Sequence, residues 1–479
     1  MIIRTRFHFR NPAGLFWGLV QLTRPKSQQG NRAFPAKTFL IIGLVFLALS
    51  ILGLPQAAEA AAKETANEAA ALPEGPTDFD TCVSFALRQS PFLTKSSMEI
   101  DLKRLDETDS RYGFIPSVGF RTTYYVDRPT TSTVKPDPYT LSFTSEAYNP
   151  LEAYFSLQVR KLITEFAILT HLQVIADGLL RIGRVYLEVD VLKRVATCQE
   201  ELISLGRQNL NYAEKRQGIG TATPLEVKVA AQELELAISE KERILASQAK
   251  LLEGLKSFLG LKPARDLTLK LEQVQRQVFG QFDPAAATLG QAKDRSYDLK
   301  MHEIKKQLQA YNITLAKTRV LPTFIFGVQT PDPLSMTTAK GLYFYVGLEV
   351  PVWDGFKRIR NISRQKTLLR QYDLETETKE SDLSGKWQVA LEDVRGAVAL
   401  RKVAQAQEEL ARLKEQQNEI RYKSGGEPLT TFTEARKAYL ESQKNTLLKA
   451  LEYDMAVLSL RNLSGDLSYS YVQASSWQK

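Results

Sequence analysis

The sequence predicts a mainly helical protein with a small membrane β part, built from one strand–strand–long-helix unit written twice. Three observations carry this prediction. The turn "GIGTATPLEVKVAAQELEL" at Gly218 returns as "GGEPLTTFTEARKAYL" at Gly425. Each turn follows a helical pattern of nearly seventy residues. Four short segments alternate apolar and mixed residues with period two, the pattern of a half-buried strand.

Composition sets the outer limits. The chain has 479 residues, is 43% hydrophobic and carries a formal charge of +9. That balance excludes a disordered chain and a polytopic helical membrane protein. Residues 1–60 hold seven of the 63 Lys and Arg and one of the 54 acids, so the rest is close to neutral and bulk charge gives a nucleic-acid partner no support. Two cysteines, Cys82 and Cys198, and isolated His171 and His302 leave no metal cluster and no disulfide scaffold. The helical positions of the cysteines place them at different heights, so two free thiols are expected.

Residues 1–60 read as an export signal. A basic stretch precedes "TFLIIGLVFLALSILGL" (Thr38–Leu54), and Ala58 and Ala60 stand at signal-peptidase spacing. An uncleaved anchor is the alternative. Residues 61–78 form a flexible N-terminal segment. The first repeat covers 79–270, a linker 271–285, the second repeat 286–465 and a C-terminal tail 466–479.

The repeat holds a near-constant spacing of about 205 residues across its length. Ala86, Ser90 and Pro116 answer to Ala292, Ser296 and Pro322, Asn149 to Asp354, Gly220 to Gly425, Pro224 and Leu225 to Pro428 and Leu429, and Gly260 to Gly465. Each copy opens on a single helix (79–114 and 286–320), ended by Pro116 or Pro322. The strands follow: 117–126 and 139–148 in the first copy, 323–329 and 341–353 in the second. The long helices run over 150–217 and 355–423. Asn149 caps the first, with Pro150 at the first helical position and Glu152 completing a capping box; Asp354 caps the second. In the helix after the first turn, Val227, Ala231, Leu234, Ile238, Leu245, Leu252, Leu255 and Leu259 fall on a heptad seam.

At ~1.5 Å per residue each long helix spans on the order of 100 Å. The two shorter helices of each copy, stacked end to end, match that length. The simplest solid is a cylinder with the Gly turns at one end and the strands at the other. Strands of about 9–11 residues suit a tilted crossing of an outer membrane. Four strands cannot close a barrel, and an open edge in lipid leaves backbone groups unpaired. If the strands enter a membrane, several chains must share one barrel.

The leader, the duplicated unit, the turn "RYKSGGEPLTTFTEARKAYL" and the stretch "GLYFYVGLEVPVWDGFKRIR" together resemble the TolC-like outer-membrane efflux protein family over residues 79–465. The resemblance implies a homotrimer with a shared 12-stranded β-barrel, continuing into a periplasmic α-helical barrel. It implies the outer membrane of a Gram-negative bacterium, and a passive channel of a tripartite efflux or type I secretion system. The partners implied are outer-membrane lipid, a periplasmic adaptor protein and an inner-membrane pump of RND, ABC or MFS type, with no cofactor and no nucleic acid. The alternative is a periplasmic adaptor or coiled-coil structural protein without a pore. Catalysis is not expected: "GIGTAT" follows a helix rather than a strand and lacks the third glycine of a dinucleotide loop.

The resemblance also assigns sites. Gly220, Thr223, Pro224, Leu225, Gly425, Gly426, Pro428 and Leu429 belong to the periplasmic tip, which contacts the adaptor. Glu226, Tyr422, Glu427, Thr431 and Glu434 belong to the entrance constriction. The best-studied member type has acids six and nine positions after the second glycine; Glu434 fits that pattern and Thr431 departs from it. Glu427 stands where that type has a basic residue linking to the acid at Glu226, so a repulsion replaces the link. A ring of Glu434 carboxylates would attract cations. The plainer reading of Glu427 and Glu434 is two solvated carboxylates on a helix face.

Overall fold

The computed structural model describes residues 75–124, 139–262, 264–330, 343–350 and 353–474. The chain divides into two units, Met1–Ala70 and Ala71–Lys479, and all described residues belong to the second. The predicted export signal lies outside the described residues, as do residues 125–126, 341–342 and 351–352 of the predicted strands.

In order come α1 (Phe79–Gln89), α2 (Pro91–Tyr112), β1 (Val118–Tyr124), β2 (Tyr139–Ser145), α3 (Pro150–Gly218) and α4 (Pro224–Leu259). Two short helices follow, α5 (Val274–Phe279) and α6 (Leu289–Arg295). The second set is α7 (Tyr297–Thr318), β3 (Thr323–Thr330), β4 (Tyr343–Glu349), α8 (Lys357–Lys423) and α9 (Leu429–Leu463), with α10 (Asp466–Ala474) last.

The opening helix of each copy is broken, not continuous. Ser90 and Ser296 are both extended, with ψ of 121° and 115°. Pro91 explains the first break, because its ring disfavours helical backbone at the preceding residue. The second break has no proline; Ser296 instead caps α7, accepting from the Leu299 N–H at 3.3 Å. Each break receives the end of a later helix. Gly260, left-handed at φ 74°, lies so close to Pro91 that an added Cβ would sit 2.6 Å from the ring, and Ser90 donates to the Phe258 carbonyl at 2.6 Å. Gly465, at φ 73°, meets Arg295 in the same way, at 2.7 Å. Glycine is required at both joints by conformation and by space. Thus α2 and α4 together run alongside the 69-residue α3, and α7 and α9 alongside the 67-residue α8.

The central stave is α3, which packs on α2 and α4 and also on α7 and α9 of the second copy. This explains its buried stripe from Leu157 to Leu205, and why one stretch of it is long and apolar enough to cross a membrane. By contrast α8 packs chiefly on α7 and α9, and only six of its residues are buried: Leu383, Trp387, Val394, Ala397, Ala404 and Glu415. Val389, Leu400, Val403, Leu410, Leu413 and Ile420 of α8 stay exposed.

The main core lies where the breaks meet the long helix. Phe79, Cys82, Leu179, Ile182, Tyr186, Leu255, Leu259, Val278, Leu458 and Leu467 pack together there, and a second cluster joins Ala292, Trp387, Val394, Val457 and Leu460. Both cysteines are free and buried. His171 meets the Ser96 hydroxyl at 3.0 Å, and His302 meets the Tyr372 carbonyl at 3.1 Å.

Two local expectations change. The heptad seam of α4 slips: Leu245 is exposed and Ile244 is buried against Val191, Val195 and Ala196. A straight helix at 3.6 residues per turn drifts off a strict seven-residue repeat, and the next residue takes over the contact. At the start of α3, Asn149 accepts from the N–H groups of Leu151 and Glu152 at 3.0 and 3.3 Å, but the Glu152 carboxylate turns to Arg319 at 2.8 Å. The capping box is therefore half made, and its acid ties α3 to the end of α7. In the second copy, Asp354 accepts from the Arg358 N–H at 3.1 Å across two left-handed residues, Gly355 and Phe356.

The four strands form one antiparallel sheet in the order β1-β2-β3-β4. Phe120 pairs with Phe143, Phe143 with Val328, and Val328 with Phe344, so one apolar row crosses the whole sheet. Val118, Phe324, Phe326, Val346 and Leu348 share that face by the period of two, and all are exposed. On the other face Tyr345 lies over Gly327, where an added Cβ would sit 2.3 Å from the ring. The outer edges of β1 and β4 have no strand partner among the described residues.

Candidate functional site: the two helix-hairpin turns

The first turn is closed by its own backbone. Gly220, at φ 79°, donates to the Gln217 carbonyl at 2.9 Å, and Thr221 donates to the Arg216 carbonyl at 2.8 Å. Thr223 then starts α4 as a full capping box, with its hydroxyl accepting from the Glu226 N–H at 3.2 Å and the Glu226 carboxylate facing the Thr223 N–H at 3.5 Å. Pro224 takes the first helical position and Leu225 is exposed. Capping residues satisfy N–H groups that the helix leaves without partners.

The second turn uses different chemistry. Gly425, at φ 74°, donates to the Tyr422 carbonyl at 3.0 Å, and Gly426 to the Arg421 carbonyl at 2.9 Å. Pro428 occupies the cap position and offers no side-chain acceptor; Leu429 begins α9. Tyr422 instead stacks on Phe432, with ring centroids 5.7 Å apart and planes 7° from parallel. Thr431 is half-buried and Glu434 is exposed, with no ion pair among the described residues.

Glu226 faces Arg216 at 3.7 Å and Glu427 faces Arg421 at 2.9 Å. Each carboxylate has an arginine of its own hairpin beside it. Arg216 and Arg421 are repeat counterparts, so the duplication itself held the signal for this pairing.

A further anchor lies one step inside the turn. Arg436 of α9 reaches Glu415 of α8 at 3.0 Å and Glu201 of α3 at 3.1 Å. Lys437 beside it reaches Glu233 of α4 at 3.3 Å. One helical turn of α9 thus links all three long neighbours. Its partners lie far apart in sequence, and no local pattern marks them.

An open sheet with a largely exposed apolar face is thus set on doubled staves of about 70 residues that end in glycine turns. Residues 288–466 match the family model described as outer membrane efflux protein. That match covers the second repeat, and over about four fifths of its length the chain shares the fold of outer-membrane channels of known structure. Similar solved structures include a membrane protein from Pseudomonas aeruginosa (17% identity, 81% of this chain and 93% of that one, TM-score 0.65). Two others are the outer membrane channel CmeC of Campylobacter jejuni (13%, 83% and 88%, 0.66) and the outer membrane protein VceC of Vibrio cholerae (13%, 81% and 96%, 0.66). No curated protein matches in sequence.

Proposed function

We propose that this protein is the outer-membrane channel of a tripartite efflux or type I secretion system, passively conducting what a pump delivers. Three copies close a 12-stranded barrel in the outer membrane, and their helices continue it as a tunnel through the periplasm. The carrying observation is the apolar Phe120–Phe143–Val328–Phe344 row, exposed at its three phenylalanines, on a sheet whose two edges have no strand partner among the described residues. Water disfavours that face, and lipid disfavours those edges. Closure with neighbouring copies answers both, and it covers the exposed apolar stripe of α8 as well.

In this reading the turns around Gly220 and Gly425, with Thr223, Pro224, Leu225, Gly426, Pro428 and Leu429, form the periplasmic tip that meets an adaptor. Glu226, Tyr422, Glu427, Thr431 and Glu434 line the entrance, and Glu434 is the acid free to face the lumen. Residues 1–60 direct export, and the two repeats serve as two staves of one wall. The chain does no chemistry of its own. No observation supports the rival reading as an adaptor or a poreless coiled coil. Cell fractionation with unheated and heated gels tests the proposal: an outer-membrane oligomer that falls to monomer on boiling supports it, and a soluble monomer defeats it.

A further inference from the structure

The four strands carry two charged residues in all, Arg121 in β1 and Glu349 in β4. They stand on the two edge strands, which have no outer partner among the described residues, have opposite sign, and share the face opposite the apolar row. Both are exposed, and neither has an ion pair among the described residues. We infer that Arg121 of one copy meets Glu349 of the next across the joint between them, and that this pair sets the register of the closed barrel. The inference rests on the ring of copies proposed above.

The register within the sheet makes the inference specific. Arg121 pairs with Ser142, Ser142 with Gln329, and Gln329 with Tyr343. Straight across the hydrogen bonds, Arg121 is therefore level with Tyr343, and Glu349 stands six residues further along β4. A closed barrel removes that offset by tilting its strands. Four strands at ~4.8 Å span about 19 Å, and six residues at ~3.3 Å span about 20 Å. The tilt that brings the two charges level is about 45°, at the top of the usual range of roughly 35–45°.

The lower end of that range shifts the joint by about four residues, placing Gly347 opposite Arg121 and leaving both charges unmatched. Odd shifts are excluded because they would turn the apolar row inward on one side of the joint. The opposite slant sets β4 against Tyr112 and the end of α2, where there is no strand. Opposite charges facing each other on neighbouring strands are favourable, so the six-residue shift is the one the sequence selects.

The test is disulfide trapping in the full-length protein in outer membranes, with Cys82 and Cys198 replaced by Ala. Arg121→Cys with Glu349→Cys should give a covalent ladder ending at trimer on heated, non-reducing gels, several-fold stronger than Arg121→Cys with Gly347→Cys. A stronger ladder from the Gly347 pair overturns the register. So does the absence of both ladders from protein that still runs as an oligomer unheated. A parent protein that never runs as an oligomer defeats the ring reading itself. As a second readout, Arg121→Glu should lower the temperature at which the oligomer dissociates, and adding Glu349→Arg should restore it. Failure of that rescue contradicts the pairing.

Discussion

The Arg421 guanidinium sits 2.9 Å from the Glu427 carboxylate across the second hairpin turn, while the Arg421 carbonyl accepts from Gly426 and from the Ser424 hydroxyl, both at 2.9 Å. One residue thus closes the turn through its backbone and balances its acid through its side chain. The guanidinium is largely exposed, so the ion pair contributes modestly, about 0.2–1 kcal/mol. Arg421→Ala should leave global stability almost unchanged but loosen the turn locally. Hydrogen exchange of the 424–427 amides should speed up while the amides of α9 beyond Leu440 keep their rates. Unchanged exchange at the turn would show that the backbone bonds alone hold it.

The glycine joints make a sharper stability prediction. An added Cβ at Gly260 meets the Pro91 ring and must also adopt left-handed backbone, which costs about 1–2 kcal/mol before any clash. Gly260→Ala should lower the melting temperature clearly. Gly220→Ala, also left-handed but with open space around it, should cost only the backbone part. Equal effects from the two substitutions would argue against the end-to-end packing of α2 and α4.

Asp454 supplies a pH dependence. Its carboxyl is buried in α9, accepts from Gln275 at 2.6 Å, and has Arg401, Arg194 and Asp190 as charged neighbours. Burial is the largest effect and pushes its pKa above the usual carboxylate range. The fold therefore favours the neutral acid. This contribution is fully present below the unfolded-chain pKa and is lost as pH rises through the folded one. Asp454→Asn, which keeps an acceptor for Gln275, should raise the melting temperature more at pH 8 than at pH 5. A gain that does not vary with pH would mean that the carboxylate is already well solvated.

The thiols give a direct check on the core. Burial pushes the Cys82 thiol up to about 12, so almost no thiolate is present at neutral pH. Burial raises Cys198 as well. Native protein should label slowly with maleimide, and two thiols should react at once after denaturation. Fast native labelling at Cys82 would place it outside the cluster with Tyr186 and Phe79.

The periodic part of the fold was legible in the sequence. Period-two stretches became strands, and the long helices ended at the glycine turns that punctuate them. Pro91 advertised the break in the first copy, but Ser296 breaks the second copy with no proline, because the arriving Gly465 and the Ser296 cap decide the backbone there. Leu245 fell on a seven-residue grid that a straight helix does not keep. At the turns, Glu226 and Glu427 were visible as acids, and the 205-residue repeat marked Arg216 and Arg421 as counterparts, but which acid each arginine meets is a property of the folded hairpin. The opposite charges at Arg121 and Glu349 gain meaning only once β1 and β4 are known to be the edges.

In the proposed function, copies of this chain close a membrane pore through these strands. Planar bilayer recording of the purified oligomer tests it most directly. Discrete, long-lived conductance steps are predicted, with cation block altered by Glu434→Ala. Silent bilayers, from protein shown on the same preparation to be a folded oligomer, would contradict it.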